Sequence, residues 1–253
     1  MSINKKKNNV HRARYEKTDK VDLIYGKNPV REALASNRLR LVYVSEGFTD
    51  SAFLDKLINA NVPIVRKTGG ELNSMVDGVN QGLVAEVKPY EYSSLEEIIH
   101  IGKKQTNPVI VMLDGINDPH NLGAILRSCD VFNVSGVIVK KVNQVALNST
   151  VAKTSAGAIN YVKVAQVSNL NNAISILKEQ GYWVFSTDGS GTYEYQNLKY
   201  DFPVVLVIGS EGNGVSPLVL KNSDYIVKIP MYGHVNSLNA SVATAILLSR
   251  IRA

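Results

Sequence analysis

The chain has one cysteine, Cys129, and one tryptophan in 253 residues. A single cysteine excludes an internal disulfide framework and fits a reducing, cytoplasmic setting. Four histidines (His11, His100, His120, His234) and that cysteine are scattered without ligand spacing, which argues against a bound metal. No apolar run approaches the roughly 20 residues needed to span a bilayer, and the N-terminus has no apolar signal core, so no membrane association is expected. A strong overall charge is also missing. The net charge is +6, but residues 1–20 carry seven Lys/Arg against Glu16 and Asp19. The rest of the chain holds 21 basic and 20 acidic residues. Such a tail suits an arm for nucleic-acid phosphates or a disordered solubilising leader. Any nucleic-acid surface on the folded part must come from local patches.

What is present is enough for a core. The apolar fraction is 45%, and the length fits one large or two modest domains. From Val21 strand and helix signals alternate up to Leu83–Val87, giving a small α/β unit over residues 21–88. Within it Asn28 is expected to cap a helix with Pro29 at its first position. Residues 89–106 read as a linker with its own short helix, opened by Ser94-Leu-Glu-Glu97. Tyr90 and Tyr92 read first as linker anchors, with base stacking as the alternative.

Residues 107–253 form the second unit. Buried, β-branched runs alternate with amphipathic segments, as in a mostly parallel sheet covered by helices on both faces. Leu122, Ile125, Leu126, Cys129 and Phe132 mark the core stripe of one helix, for which Asn121 is a natural N-cap. The last fifty residues organise this unit. Val204–Ile208 is a strand, and Gly209-Ser-Glu-Gly-Asn-Gly214 brings backbone N–H groups within reach of a ligand. Asp224–Pro230 holds another strand. The final segment, Ser237–Arg250, begins with Ser237 or Asn239 as cap. It places Leu238, Val242, Ala245, Ile246 and Ser249 on one face, and its small residues invite close packing.

Several chemistries fail on spacing. The glycines after Val204–Ile208 are not in the G-x-G-x-x-G order, and no Lys-Ser/Thr follows them, which excludes a P-loop. Ser210 lacks the glycine two residues before it that a nucleophile elbow needs. Three loops at strand carboxyl ends remain: Asn117–Asn121 leading to Arg127, Gly209–Gly214 with Glu211, and Pro230–Asn239 with Ser237. Ligands of open α/β sheets bind at that edge. The loops are rich in amides and hydroxyls and poor in titratable groups, which suits positioning a reactive cofactor more than acid–base hydrolysis. Lys140-Lys141 reads as a solvated strand end, with an RNA phosphate contact as the alternative.

The segments Asn121-Leu-Gly-Ala-Ile-Leu-Arg-Ser128, Ile208-Gly-Ser-Glu-Gly-Asn-Gly-Val215 and Ile229-Pro-Met with Ser237-Leu-Asn-Ala-Ser-Val-Ala243 resemble the three motifs of the SpoU (TrmH) family of RNA 2′-O-methyltransferases, in the family's order. Residues 21–88 resemble the small L30e-like substrate-binding domain of its 23S rRNA guanosine branch. The resemblance implies a knotted, SPOUT-type parallel-sheet domain, S-adenosylmethionine as cofactor, large-subunit rRNA as partner and a homodimer through the C-terminal domain. By position it implies cofactor contacts at Gly209, Ile229 and Leu238. It also implies a catalytic cluster of Asn121, Arg127, Glu211, Ser237 and Asn239. The chain departs from the family at Asn80-Gln81-Gly82 and Asn236-Ser-Leu-Asn-Ala240 without losing a catalytic group. A tRNA substrate, or an RNA-binding assembly factor without catalysis, stay as alternatives. Arg127 lies roughly 140° around its helix from Leu122 and so points away from the core stripe.

Overall fold

The computed structural model describes residues 22–253; the basic tail, residues 1–20, lies outside them. The first unit runs β1 (Asp22–Tyr25), α1 (Lys27–Ala35), β2 (Leu39–Ser45), α2 (Ser51–Asn59), β3 (Ile64–Lys67), α3 (Gly69–Met75) and β4 (Leu83–Val87). Its sheet has the order β1-β4-β2-β3. β4 is antiparallel to both β1 and β2, while β2 and β3 are parallel. Val30, Val42, Val44, Phe53, Leu57 and Leu83 fill its core.

One expectation fails at the start of α1. The helix begins at Lys27, its cap position is Gly26 at φ 90°, and no local side chain caps it. Asn28 sits inside the first turn. The orphan N–H of Lys27 instead donates to Gln81 Oε1 at 2.9 Å. A donor at a helix start can be satisfied by any acceptor brought there by the fold, and here the acceptor is 54 residues away.

The second unit contains α4 (Leu95–Gly102), β5 (Val109–Asp114), α5 (Pro119–Val131), β6 (Gly136–Lys140), α6 (Ser149–Thr154), β7 (Val164–Val167), α7 (Leu170–Glu179), β8 (Trp183–Thr187), β9 (Tyr193–Glu194), β10 (Val204–Gly209), α8 (Pro217–Lys221), β11 (Tyr225–Lys228) and α9 (Ala240–Ile251). Its strands lie in the order β7-β6-β5-β10-β8-β11-β9, and every pairing is parallel. Alternation along β5 builds two cores. Val109, Val111 and Leu113 face α5 and α9, whereas Ile110 and Met112 face α4 and α7. Burial on both faces is why these strands read as continuous apolar runs.

The helix inside residues 89–106 is not a free linker element. Ser94 caps it by accepting from Glu97 N at 3.1 Å, and Ile98 and Ile99 are buried in the second unit's core. Ile98 seats against Gly136, where any β-carbon would meet its side chain. Ser93 N also donates to Val164 O at 2.8 Å, tying the segment to β7.

Helix-to-strand turns share a device. α1, α2, α5 and α7 are each followed, one residue past the cap, by Asn37, Asn61, Asn133 or Gly181 in the left-handed region. Asparagine tolerates that conformation better than most residues, so the chain reverses there with few glycines. α9 is fixed at its end by Arg252. Its guanidinium donates to Phe132 O at 2.9 Å, Asn107 O at 3.0 Å and Asn133 O at 2.8 Å. Among the described residues, no helix is long and apolar enough to cross a membrane.

Candidate active site

Because the strands are parallel, the loops after β5, β8, β10 and β11 emerge at one edge of the sheet. At α5 the N-cap is Asp118, which accepts from His120 N at 2.9 Å, and Pro119 takes the first helical position. Asn121 is therefore not the cap that the sequence suggested. Its amide is buried within the first turn and free for another role.

That role is a three-residue cluster. Asn121 Nδ2 donates to Glu211 Oε1 at 3.0 Å. Asn239 Nδ2 donates to the same oxygen at 2.7 Å and to Asn121 Oδ1 at 2.8 Å. Asn239 also caps α9, its Oδ1 accepting from Ser241 N at 2.9 Å and Val242 N at 3.3 Å. Both halves of this amide are thus committed: the oxygen fixes the helix and the nitrogen fixes the cluster.

Glu211 is placed by a tight loop. Ser210 and Gly214 exchange backbone hydrogen bonds of 3.2 and 2.9 Å, and Gly214 has φ 63°. A β-carbon on Gly209 would run into the backbone of Gly214 and Val215, so only glycine lets the loop fold back there. Beyond it, Ser216 N donates to Asp114 Oδ2 at 2.8 Å, and Lys140 Nζ pairs with Asp114 Oδ1 at 2.7 Å. Burial pushes the Asp114 carboxyl up, but Lys140 and Ser216 together draw it below its ordinary value. Lys140 is therefore engaged internally, and of the pair Lys140-Lys141 only Lys141 is exposed.

Beside the cluster lies a cleft. Gly209, Ile229 and Leu238, the three residues expected to touch a cofactor, all line it, together with Glu211 and Ser237. The loop Thr187–Gly189 lines it too, and the sequence reading missed that contribution. The signal was Asp188-Gly-Ser-Gly191 at the end of β8, another glycine-rich stretch at a strand carboxyl end. Gly189 and Gly209 and the apolar side chains of Ile208, Ile229 and Leu238 line this cleft, the mixture of backbone and apolar surface that small-molecule sites use.

Two of the expected catalytic residues stand outside the hydrogen-bonded cluster. Ser237 is exposed on the cleft wall and makes no hydrogen bond among the described residues. Arg127 is exposed on α5, six residues beyond Asn121, with no ion pair among the described residues. Cys129 is buried, and burial holds its thiol far above its ordinary value, which leaves it unreactive. No group of three His, Cys, Asp or Glu among the described residues could hold a metal ion.

Comparison with known proteins identifies the family. Residues 108–249 match the SpoU rRNA methylase family, and residues 23–93 match the RNA 2′-O ribose methyltransferase substrate-binding domain. A Staphylococcus haemolyticus protein assigned to the TrmH family of tRNA/rRNA methyltransferases is 42% identical over 236 residues, 90% of this chain and 94% of that one. A Staphylococcus aureus protein of the same assignment is 40% identical over equal shares. Among solved structures, the SpoU methyltransferase AviRb from Streptomyces viridochromogenes, in complex with AdoMet, superposes with a TM-score of 0.77. It is 22% identical, and the match covers 91% of this chain and 88% of that one. A TrmH-family protein from Porphyromonas gingivalis gives 0.72 at 25% identity, covering 92% and 89%. With an α/β parallel-sheet domain and a substrate-binding domain before it, this chain belongs to the SpoU rRNA methylase family.

Proposed function

We propose that the protein transfers a methyl group from S-adenosylmethionine to the ribose 2′-hydroxyl of a guanosine in large-subunit rRNA. The observation that carries this reading is the union of Asn121, Glu211 and Asn239, from three distant segments, beside the Gly209–Ile229–Leu238 cleft. When bound, the cofactor supplies a methyl carbon made electrophilic by its sulfonium. The chain's part is orientation. Glu211 spends one oxygen on the two amides and keeps Oε2 for a hydroxyl donor. Asn121 and Asn239 hold that carboxylate still, and the Ser237 hydroxyl faces the same cleft. Arg127 binds the RNA phosphate next to the ribose. It is not the base, since a guanidinium has no acceptor and stays protonated. In-line methyl transfer depends on alignment, so a fixed polar frame contributes more here than a titrating group.

The reading includes a homodimer in the cytoplasm, with a trefoil knot in the C-terminal part of the chain. Dimerisation is supported by α9. Its core stripe is Ala240, Thr244, Leu247, Leu248 and Ile251, so the opposite face with Val242, Ala245 and Ile246 is left outward, Val242 being 46% exposed. Apolar surface of this kind on a buried-type helix marks an interface.

The test has two arms. Calorimetry with S-adenosylmethionine should show binding to the full chain. Mapping of 2′-O-methyl sites in cellular RNA, with and without the gene, should show one rRNA guanosine losing its mark. Cofactor binding with no RNA site changed, or a changed site in tRNA, would replace the rRNA assignment. No cofactor binding at all would leave an RNA-binding factor.

A further inference from the structure

Where the two domains meet, residues of both line a half-open cavity of about 580 Å³, separate from the Gly209–Ile229–Leu238 cleft. Small-ligand pockets run from about 300 to 1,000 Å³, so a nucleotide fits. One wall comes from α1, Arg38 and Tyr90; the other comes from α6 and His120, the chain neighbour of Asn121.

Three features give the cavity a chemistry. The Arg38 guanidinium lies over Tyr90, its Cζ 3.2 Å from the ring centroid, anchored by a 2.7 Å bond in which one terminal nitrogen donates to Lys88 O. This is a rigid, planar, cationic platform of the kind on which bases stack. The Glu32 carboxylate lies in the same cavity, over Gly157. A β-carbon on Gly157 would come within 3.2 Å of it, and the glycine has φ 90°. Glu32 makes no ion pair among the described residues, and burial raises its carboxyl above the ordinary value. Arg38 Nε and Asn160 Oδ1 are buried with no hydrogen-bond partner among the described residues. A half-buried carboxylate with no donor is costly and is relieved by a ligand that brings N–H groups.

We propose that this interdomain cavity is a guanine subsite for the RNA substrate, with the base stacked on the Arg38–Tyr90 platform and its N1–H and N2–H donating to Glu32. An ionised carboxylate only accepts. Guanine offers it two adjacent donors on the Watson–Crick edge, whereas adenine presents the N1 acceptor there. Lys153 on the cavity's other wall suits the flanking phosphate. The inference rests on the RNA methyltransferase reading and deepens it, because it names a base that the N-terminal domain recognises.

The experiment is an NMR titration of the full chain with guanosine, inosine and adenosine 5′-monophosphates. GMP should shift the amides of Gly26, Glu32 and Gly157. IMP lacks the N2 amino group and should bind about tenfold more weakly, the loss of one hydrogen bond to a charged group. AMP should leave those amides unmoved. Glu32→Gln should weaken GMP about tenfold without changing affinity for S-adenosylmethionine. Equal shifts from GMP and AMP, or shifts only outside the cavity, overturn the subsite, and the wild-type nucleotide series decides this even if the variant fails to fold. Loss of guanine preference with cofactor binding and RNA methylation intact rejects the subsite alone. Absent methyl transfer rejects the enzymatic reading, and the titration still judges the cavity independently.

Discussion

Asn121 and Asn239 stand 118 residues apart in the chain and meet side chain to side chain at 2.8 Å. Each also donates to Glu211 Oε1. The dual use of Asn239, cap through oxygen and cluster through nitrogen, allows the two roles to be separated. Asn239→Asp keeps a good N-cap but removes both donors and sets a second carboxylate against Glu211. Methyl transfer should fall at least about a hundredfold from lost alignment, while the melting temperature stays within a few degrees. Asn239→Ala should lose both activity and about 1 kcal/mol of stability. Equal activity in Asn239→Asp and wild type would remove the cluster from the mechanism.

Arg127→Ala should lower turnover about a hundredfold or more and leave affinity for S-adenosylmethionine within about twofold. Its position outside the cleft is the reason for expecting this split. The pH–rate profile of the residual activity should keep its shape, because a guanidinium is not the base that titrates. Near-normal turnover would strip Arg127 of any role.

The glycines of the Gly209–Gly214 loop should differ sharply. Gly209→Ala forces a β-carbon into the Gly214 and Val215 backbone, so it should cost about 1–3 kcal/mol or more and abolish cofactor binding. Gly212→Ala meets nothing within 4 Å and should be close to neutral in both measurements. Calorimetry and thermal melts of the pair check this.

Fragments should report where the second unit begins. A chain of residues 93–253 keeps α4, whereas one of residues 107–253 strips Ile98 and Ile99 from the sheet. Losing the burial of two such side chains against the sheet forfeits roughly 3–6 kcal/mol. The longer fragment should be folded and bind cofactor; the shorter should aggregate or melt far lower. Equal stability would show that α4 is dispensable.

Acid stability should depend on α3. The Glu71 carboxyl is drawn down to about 2 from 4.5, first by the Thr68 backbone N–H, then by the Thr68 hydroxyl and Lys67. A carboxyl depressed in the folded state stabilises fully above its unfolded value and loses that contribution as pH falls from about 4.5 towards 2. Glu71→Gln should flatten this part of the acid-unfolding curve, because glutamine still fits the capping box but does not titrate. An unchanged acid limb would rule the contribution out.

Local chemistry made much of this protein legible from its residues. The continuous apolar runs of β5 and β10 are buried on both faces, and the stripe Leu122, Ile125, Leu126, Cys129 is fully in the core. Gly209, Ile229 and Leu238 do share one cleft. These features follow from short-range periodicity and from glycine's steric freedom, which a sequence displays directly. Tertiary structure decided the rest. Asn28 and Asn121 have the composition of caps, yet Gln81 serves Lys27 and Asp118 serves α5. The residues 89–106 look like a linker until Gly136 offers a seat for Ile98. The outward face of α9 and the carboxylate of Glu32 between two domains likewise depend on what lies opposite. Spacing along a chain states which groups can act. Which partner satisfies each of them is settled by contacts between distant segments, and those exist only once the sheet has assembled.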